Sequence, residues 1–169
     1  PDYWIPAMTD VTLPRLKGRA LWPINCCLGE VSCALGTQLL DRVDEMNAQR
    51  RARALVVIDA LADCPELVFH REASLRHSYY LLAAHVQRGL RDRFIRRMAE
   101  HHGIQCVVQY YPLNRYPLYR DLGFGEAVVP STDAFFDNMV SLPFSHLLTD
   151  VQIKQIIAAT RETVEFLRR

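Results

Sequence analysis

Lysine is nearly missing from this chain: of twenty basic residues, only Lys17 and Lys154 are not arginine. Arginine stays protonated up to a pKa above about 12 and cannot serve as a nucleophilic amine. Chemistry through a Schiff base therefore has just two candidates. Lys17 reads as an exposed residue of the segment Leu-Pro-Arg-Leu-Lys-Gly, and Lys154 as a solvated one opposite the apolar stripe of a C-terminal helix. An excess of one charge is missing too. Twenty basic residues against 19 acidic ones leave a formal net charge of +1, which argues against a general polyanion binder. No apolar run approaches the roughly 18 to 20 residues that span a bilayer. The opening residues, Pro1-Asp2-Tyr3-Trp4, lack the basic and apolar regions of a secretory signal. The expectation is a soluble, cytoplasmic protein, and the missing initiator methionine leaves room for residues upstream.

Motifs with self-sufficient chemistry are also scarce. Cys26, Cys27, Cys33, Cys64 and Cys106 make neither a CxxC pair nor a zinc spacing, and their odd number argues against a disulfide framework. Cys33 and Cys106 sit among apolar neighbours and read as small core residues. Cys26-Cys27 precedes a helix start that could lower a thiol pKa; without a base or orienting partner, the buried-thiol reading is preferred. No GxSxG, Walker or GxGxxG fingerprint occurs. His70, His77, His85 and His146 are scattered singly, while His101-His102 reads as a pair meeting the negative end of a helix dipole. The arginines from Arg88 to Arg97 read as a solvated helix face, since no aromatic residues interleave at a stacking spacing.

What is present is enough for a real core: 169 residues, half of them hydrophobic and 23% charged, a size that suits one domain with or without an arm. Residues 1–23 hold four of the nine prolines and read as an extended arm whose Trp4 and Trp22 need something to lie on. From Gly29 to about Ala62, Val31, Leu35, Leu39, Val43 and Met46 recur at helical intervals, followed by Leu55, Ile58 and Leu61. This is one extended helix or two with a bend. Gly36 weakens it by about 1 kcal/mol relative to alanine, which suggests a close neighbour. Strands are expected at Tyr79–Val86, Ile104–Tyr110 and Asn138–Leu142. A helix built on Leu90, Phe94 and Met98 should stop at Gly103. Thr132-Asp133 should cap a short helix through Phe136. Thr149-Asp150-Val151-Gln152 forms a capping box before a last helix that buries Ile153, Ile156, Ile157, Thr160, Val164 and Leu167. The order predicts an α+β fold, a small, mostly antiparallel sheet with helices over one face.

Several local segments, in order, resemble the DegT–StrS family of pyridoxal-phosphate-dependent sugar aminotransferases. Ile24-Asn25 through Met46, with Ala34-Leu35-Gly36 and Leu40-Asp41-Arg42-Val43-Asp44-Glu45-Met46, is similar to the family's Asn-x-Arg-Met segment and following helix. His77-Ser78-Tyr79-Tyr80 is similar to its first small-domain strand. Gly103-Ile104 through Tyr110-Tyr111-Pro112-Leu113 resembles its Gly-Ile…His-Tyr-x-Pro-Leu-His block. Ser141-Leu142-Pro143-Phe144 and Leu148-Thr149-Asp150 match its closing segment.

The resemblance covers about residues 22–169. It implies a fold-type I aminotransferase small domain with its connecting helix at 24–169, behind the arm at 1–23. The family's large domain carries the Schiff-base lysine and the aspartate facing the pyridine nitrogen, and it has no counterpart among these residues; Lys17 is not in the family's lysine context. The implied protein is a companion chain that completes the active site of a full-length aminotransferase acting on a keto-sugar or cyclitol. Pyridoxal phosphate would be bound mainly by that partner, with no nucleic acid or membrane involved. The alternative is a non-catalytic scaffold or regulatory binding module. The resemblance makes Asn25 a ligand of the cofactor phosphate in the neighbouring subunit. It places Cys27 where the family has arginine, and Gln109 and Asn114 where it has histidines. With Tyr110 these are the candidate substrate-binding residues.

Overall fold

A computed structural model describes residues 27–72, 77–123 and 125–169, together with the backbone of 15–16 and 19–20. The short strands β1 (Arg15–Leu16) and β2 (Arg19–Ala20) pair antiparallel. The long helical pattern resolves into two helices, α1 (Glu30–Leu40) and α2 (Val43–Ala60), separated at Asp41 and Arg42. A three-stranded antiparallel sheet follows in the order β3-β4-β5, built from β3 (Leu67–Phe69), β4 (Leu82–Val86) and β5 (Met139–Leu142). Between β4 and β5 lie α3 (Arg91–His102), a single 3₁₀ turn (Leu113–Arg115), α4 (Pro117–Asp121) and α5 (Pro130–Asn138); α6 (Asp150–Leu167) closes the chain. The α+β expectation holds.

Strand alternation sorts the sheet into two faces. Leu82 pairs with Leu142 and Ala84 with Val140, and these side chains join Val57, Leu61, Phe94, Met98, Ile156 and Val164 in one core between the sheet and α2, α3 and α6. On the other face Ala83 and His85 are only half-buried, and the His85 ring meets Phe135 of α5 edge-on at 4.7 Å.

Helix ends follow the local chemistry. Gly103 stops α3 with φ of +65°, a left-handed conformation that costs glycine little. Its amide donates to the Ala99 carbonyl at 3.1 Å, and the Ile104 amide to that of Met98 at 3.0 Å. At the start of α6 the Gln152 amide donates to Thr149 Oγ1 at 3.3 Å, while Gln152 Oε1 accepts from the Thr149 amide at 2.9 Å. Both halves of the capping box therefore form. Thr149→Ala removes one of them and should cost about 1 kcal/mol of stability, measurable by urea denaturation.

Four expectations need correction. Ile104–Tyr110 is not a strand, despite its Val and Tyr content. Only Val107 pairs, exchanging two hydrogen bonds with Ser141 at 3.1 and 2.7 Å. Thr132 and Asp133 do not cap α5: the helix begins at Pro130 behind Val129, and Asp133 instead binds Arg115. Neither Cys27 nor Cys33 is a buried thiol: both are exposed, whereas Cys64 and Cys106 are buried, and Cys26 lies outside the described residues. A methyl group at Gly36 would meet nothing within 4 Å, so no close neighbour occupies that side among the described residues.

Burial pushes the Cys106 thiol up to about 12 and raises Cys64 as well. At pH 8, iodoacetamide should therefore alkylate Cys33 quickly and spare Cys64 and Cys106 until the chain is unfolded, as peptide mass mapping would show.

Candidate functional site

The polar cleft lies where the N-terminal half of α2 meets one end of the sheet. A depression of about 300 Å³ is lined by Arg50, Tyr80, Gln105, Gln109, Ser141 and Ser145, among others. Arg50 is half-buried, and its guanidinium carbon lies 5.9 Å from the centre of the Tyr80 ring. Among the described residues it faces no carboxylate, unlike Arg53, Arg71, Arg115, Arg161 and Arg168, which pair with Asp150, Asp59, Asp133, Asp63 and Glu66. Ser141 is buried and its Oγ has no hydrogen-bond partner among the described residues. An uncompensated guanidinium beside amides and hydroxyls suits an oxygen-rich or anionic group.

The loop after Gln109 builds a second, drier depression of about 470 Å³, lined by Leu113, Asn114, Tyr119, Ala127, Val129 and Thr132. Arg115 fixes this loop to α5. It pairs with Asp133 and, at 3.2 Å, with Asp137, and it sits 5.2 Å from the Phe136 ring centre. The neighbouring carboxylate of Asp133 holds the Arg115 guanidinium charged beyond its usual range. Tyr111 adds edge-on contacts to Tyr116 at 4.9 Å and to Phe136 at 5.3 Å.

The structure thus separates the sequence candidates. Gln109 lines the polar cleft and Asn114 the apolar depression. The Asn114 amide nitrogen already donates to the Ala127 carbonyl at 3.2 Å, closing the loop on itself. Tyr110 is 66% exposed and lines neither depression. Cys27 is exposed just ahead of α1. Asn25 lies outside the described residues. The sequence reading did not single out Arg50. The signal it passed over is position: Arg50 follows Met46 by four residues and so continues the apolar stripe's face.

The cleft's donors suit an oxygen-rich group, but it holds no amine to anchor pyridoxal phosphate. Among its residues none is a lysine, and Lys154 is exposed on α6.

A long connecting helix pair joined to a small antiparallel sheet under helices is the small-domain architecture of fold-type I sugar aminotransferases. The sequence matches the DegT/DnrJ/EryC1/StrS aminotransferase family over residues 15–161, and the chain belongs to that family. The cofactor of the family is pyridoxal phosphate or its amino form, pyridoxamine phosphate.

Among its relatives, the spore coat polysaccharide biosynthesis protein SpsC of Bacillus subtilis strain 168 is 25% identical over 144 residues, 80% of this chain and 36% of SpsC. The dTDP-3-amino-3,4,6-trideoxy-alpha-D-glucose transaminase of Micromonospora megalomicea subsp. nigra is 29% identical, over 83% of this chain and 38% of that enzyme. The crystal structure of S. venezuelae DesV, solved with a ketimine intermediate, superposes with a TM-score of 0.71 at 26% identity. It covers 82% of this chain and 37% of DesV. The chain spans a little over a third of the length of these relatives. No helix among the described residues is long and apolar enough to cross a membrane.

Proposed function

We propose that this chain supplies the small-domain wall of a shared active site and works as the companion of a lysine-bearing aminotransferase polypeptide, in a hetero-oligomer. That partner binds most of the pyridoxal phosphate. The cofactor supplies the electron sink for moving an amino group, from glutamate or glutamine to a keto-sugar or cyclitol. On this side, Asn25 reaches the cofactor phosphate of the partner, Arg50 and Gln109 hold an oxygen-rich part of the substrate, and the Arg115-anchored loop limits its size.

The carrying observation is the state of α1. Eleven residues of helix bury nothing, although Val31, Leu35 and Leu39 form one stripe and are 85%, 61% and 42% exposed. A helix with this pattern is stable when its apolar face is covered. A large domain supplied by the partner is the cover this reading assigns. Co-expression with a full-length, lysine-bearing homologue should give a stable complex with transaminase activity, while the purified chain alone shows neither cofactor absorbance nor turnover. Asn25→Ala should then lower cofactor affinity in the complex about tenfold, as one lost charge-assisted hydrogen bond would. Turnover of an amino donor by the chain alone would overturn the reading. A stable but inactive complex, insensitive to Asn25→Ala, would favour the scaffold or regulatory role instead.

A further inference from the structure

A second cluster of chemically active side chains lies away from the cleft, where the C-terminal end of α3 meets the last helix. His101 and His102 end α3, and Glu162 stands on α6. One ligand-capable atom from each lies within 4.8 Å of the others. The two imidazole rings meet edge-on with centres 4.8 Å apart. His102 Nε2 is enclosed and has no hydrogen-bond partner among the described residues, which is costly for a polar atom and calls for one.

The two helices are held together on either side of this cluster. Thr163 Oγ1 lies 3.3 Å from Met98 Sδ in the core, and the Arg97 guanidinium stacks over Phe166 at 4.3 Å. The backbone positions of all three groups are therefore set by packed helices rather than by a loop. His101 and Glu162 are exposed and His102 half-buried, so their side chains have room to turn inward.

We propose that His101, His102 and Glu162 form a site for a divalent transition metal of the zinc class. Two imidazoles and a carboxylate are a common donor set for such ions, with one position left for water. Tetrahedral bonds of about 2.0–2.1 Å put neighbouring donors a little over 3 Å apart. From the present spacing, within 4.8 Å, the donors need to close by roughly 1 Å or a little more. The negative end of the α3 dipole also favours a cation at this place. The nearby charge of Arg97 opposes one, and the Glu162 carboxylate offsets it. The bound ion would staple the end of α3 to α6 independently of any amino transfer.

The test uses the full chain, stripped with a chelator and carrying Cys27→Ser and Cys33→Ser, so that the exposed thiols contribute no ligand. Titration with zinc chloride in a calorimeter should show one saturable equivalent and a rise in thermal midpoint. His101→Ala and Glu162→Gln should each weaken binding by at least about tenfold and remove most of that rise. Both residues are exposed, so the metal-free midpoints of these variants should match the parent. With cobalt substituted, the visible spectrum should report nitrogen and oxygen ligands without sulfur-to-metal charge transfer. Absence of a saturable equivalent, or binding that His101→Ala leaves unchanged, would overturn the assignment.

Discussion

Glutamate at both Val31 and Leu35 is expected to leave the chain's own thermal midpoint within about 2 °C of the parent, yet to weaken its capture by the proposed lysine-bearing partner by more than about 100-fold. The two side chains are 85% and 61% exposed, and substitutions at such positions usually change stability by less than about 0.5 kcal/mol. Glutamate is also a good helix former. In a docked complex the same side chains would each contribute about 1.5–3 kcal/mol of apolar burial. Losing both amounts to at least about 3 kcal/mol, which is two factors of ten in affinity. The introduced carboxylates would add the cost of burying an unpaired charge. Circular dichroism melts and a calorimetric titration against the partner separate the two effects. A large fall in the midpoint of the isolated chain would mean that the stripe is covered by the chain itself, and the companion reading would lose its main support.

How much of this was legible in the sequence depended on whether a feature is local. The end of α3 and the start of α6 could be read, because Gly103, Thr149 and Gln152 satisfy backbone groups within one turn of themselves. The buried face of α6 could be read too: Ile153, Ile156, Thr160, Val164 and Leu167 are all buried, with Ile157 at the margin. Periodicity found α1 equally well but could not say what covers it, since amphipathicity describes a face and not its neighbour. The same gap misplaced Cys33, which shares α1's exposure.

Pairing was the least legible part. β3, three residues long behind Pro65 and Glu66, takes its identity from its partner, with Leu67 opposite Val86. The segment 104–110 has strand composition but finds a partner only at Val107. In the candidate site, Gln109 was singled out through a family pattern, and in the structure it lines the polar cleft. Arg50 was missed because only its spacing from Met46 marks it in the sequence; that it faces no carboxylate among the described residues shows only in three dimensions. The family membership and fold expected from ordered short motifs both hold.

Arg168→Gln is expected to cost about 2 kcal/mol at pH 7, lowering the thermal midpoint by roughly 4–8 °C. Glu66 is only 5% exposed and receives a two-pronged bond from Arg168: Nε to Oε1 at 2.9 Å and Nη2 to Oε2 at 2.8 Å. The pair joins residues 102 apart in sequence, fastening the end of α6 to the chain just ahead of β3, where the Glu66 carbonyl also accepts from Gln87 at 2.8 Å. Removing the arginine leaves a buried carboxylate with only the weaker pull of Arg88, and breaking such a pair costs about 3–5 kcal/mol when both partners are dry. Because the Arg168 side chain is 44% exposed, the smaller figure applies.

The pH dependence follows from the sign of the shift. Bonding to Arg168 holds the folded-state pKa of Glu66 below the usual carboxylate value. Its stabilisation is therefore complete above the unfolded pKa and disappears as pH falls through the folded one. In the variant, burial acts on Glu66 without that compensation and favours the protonated form. The gap between parent and variant should thus be widest near pH 7 and narrow steadily toward pH 3 in urea-denaturation series. Adding Glu66→Gln to the variant should recover part of the loss at pH 7, since a neutral amide is less costly to bury than an unpaired carboxylate. A gap that stays constant across that range would show that Arg168 acts through its packed alkyl stem rather than its charge.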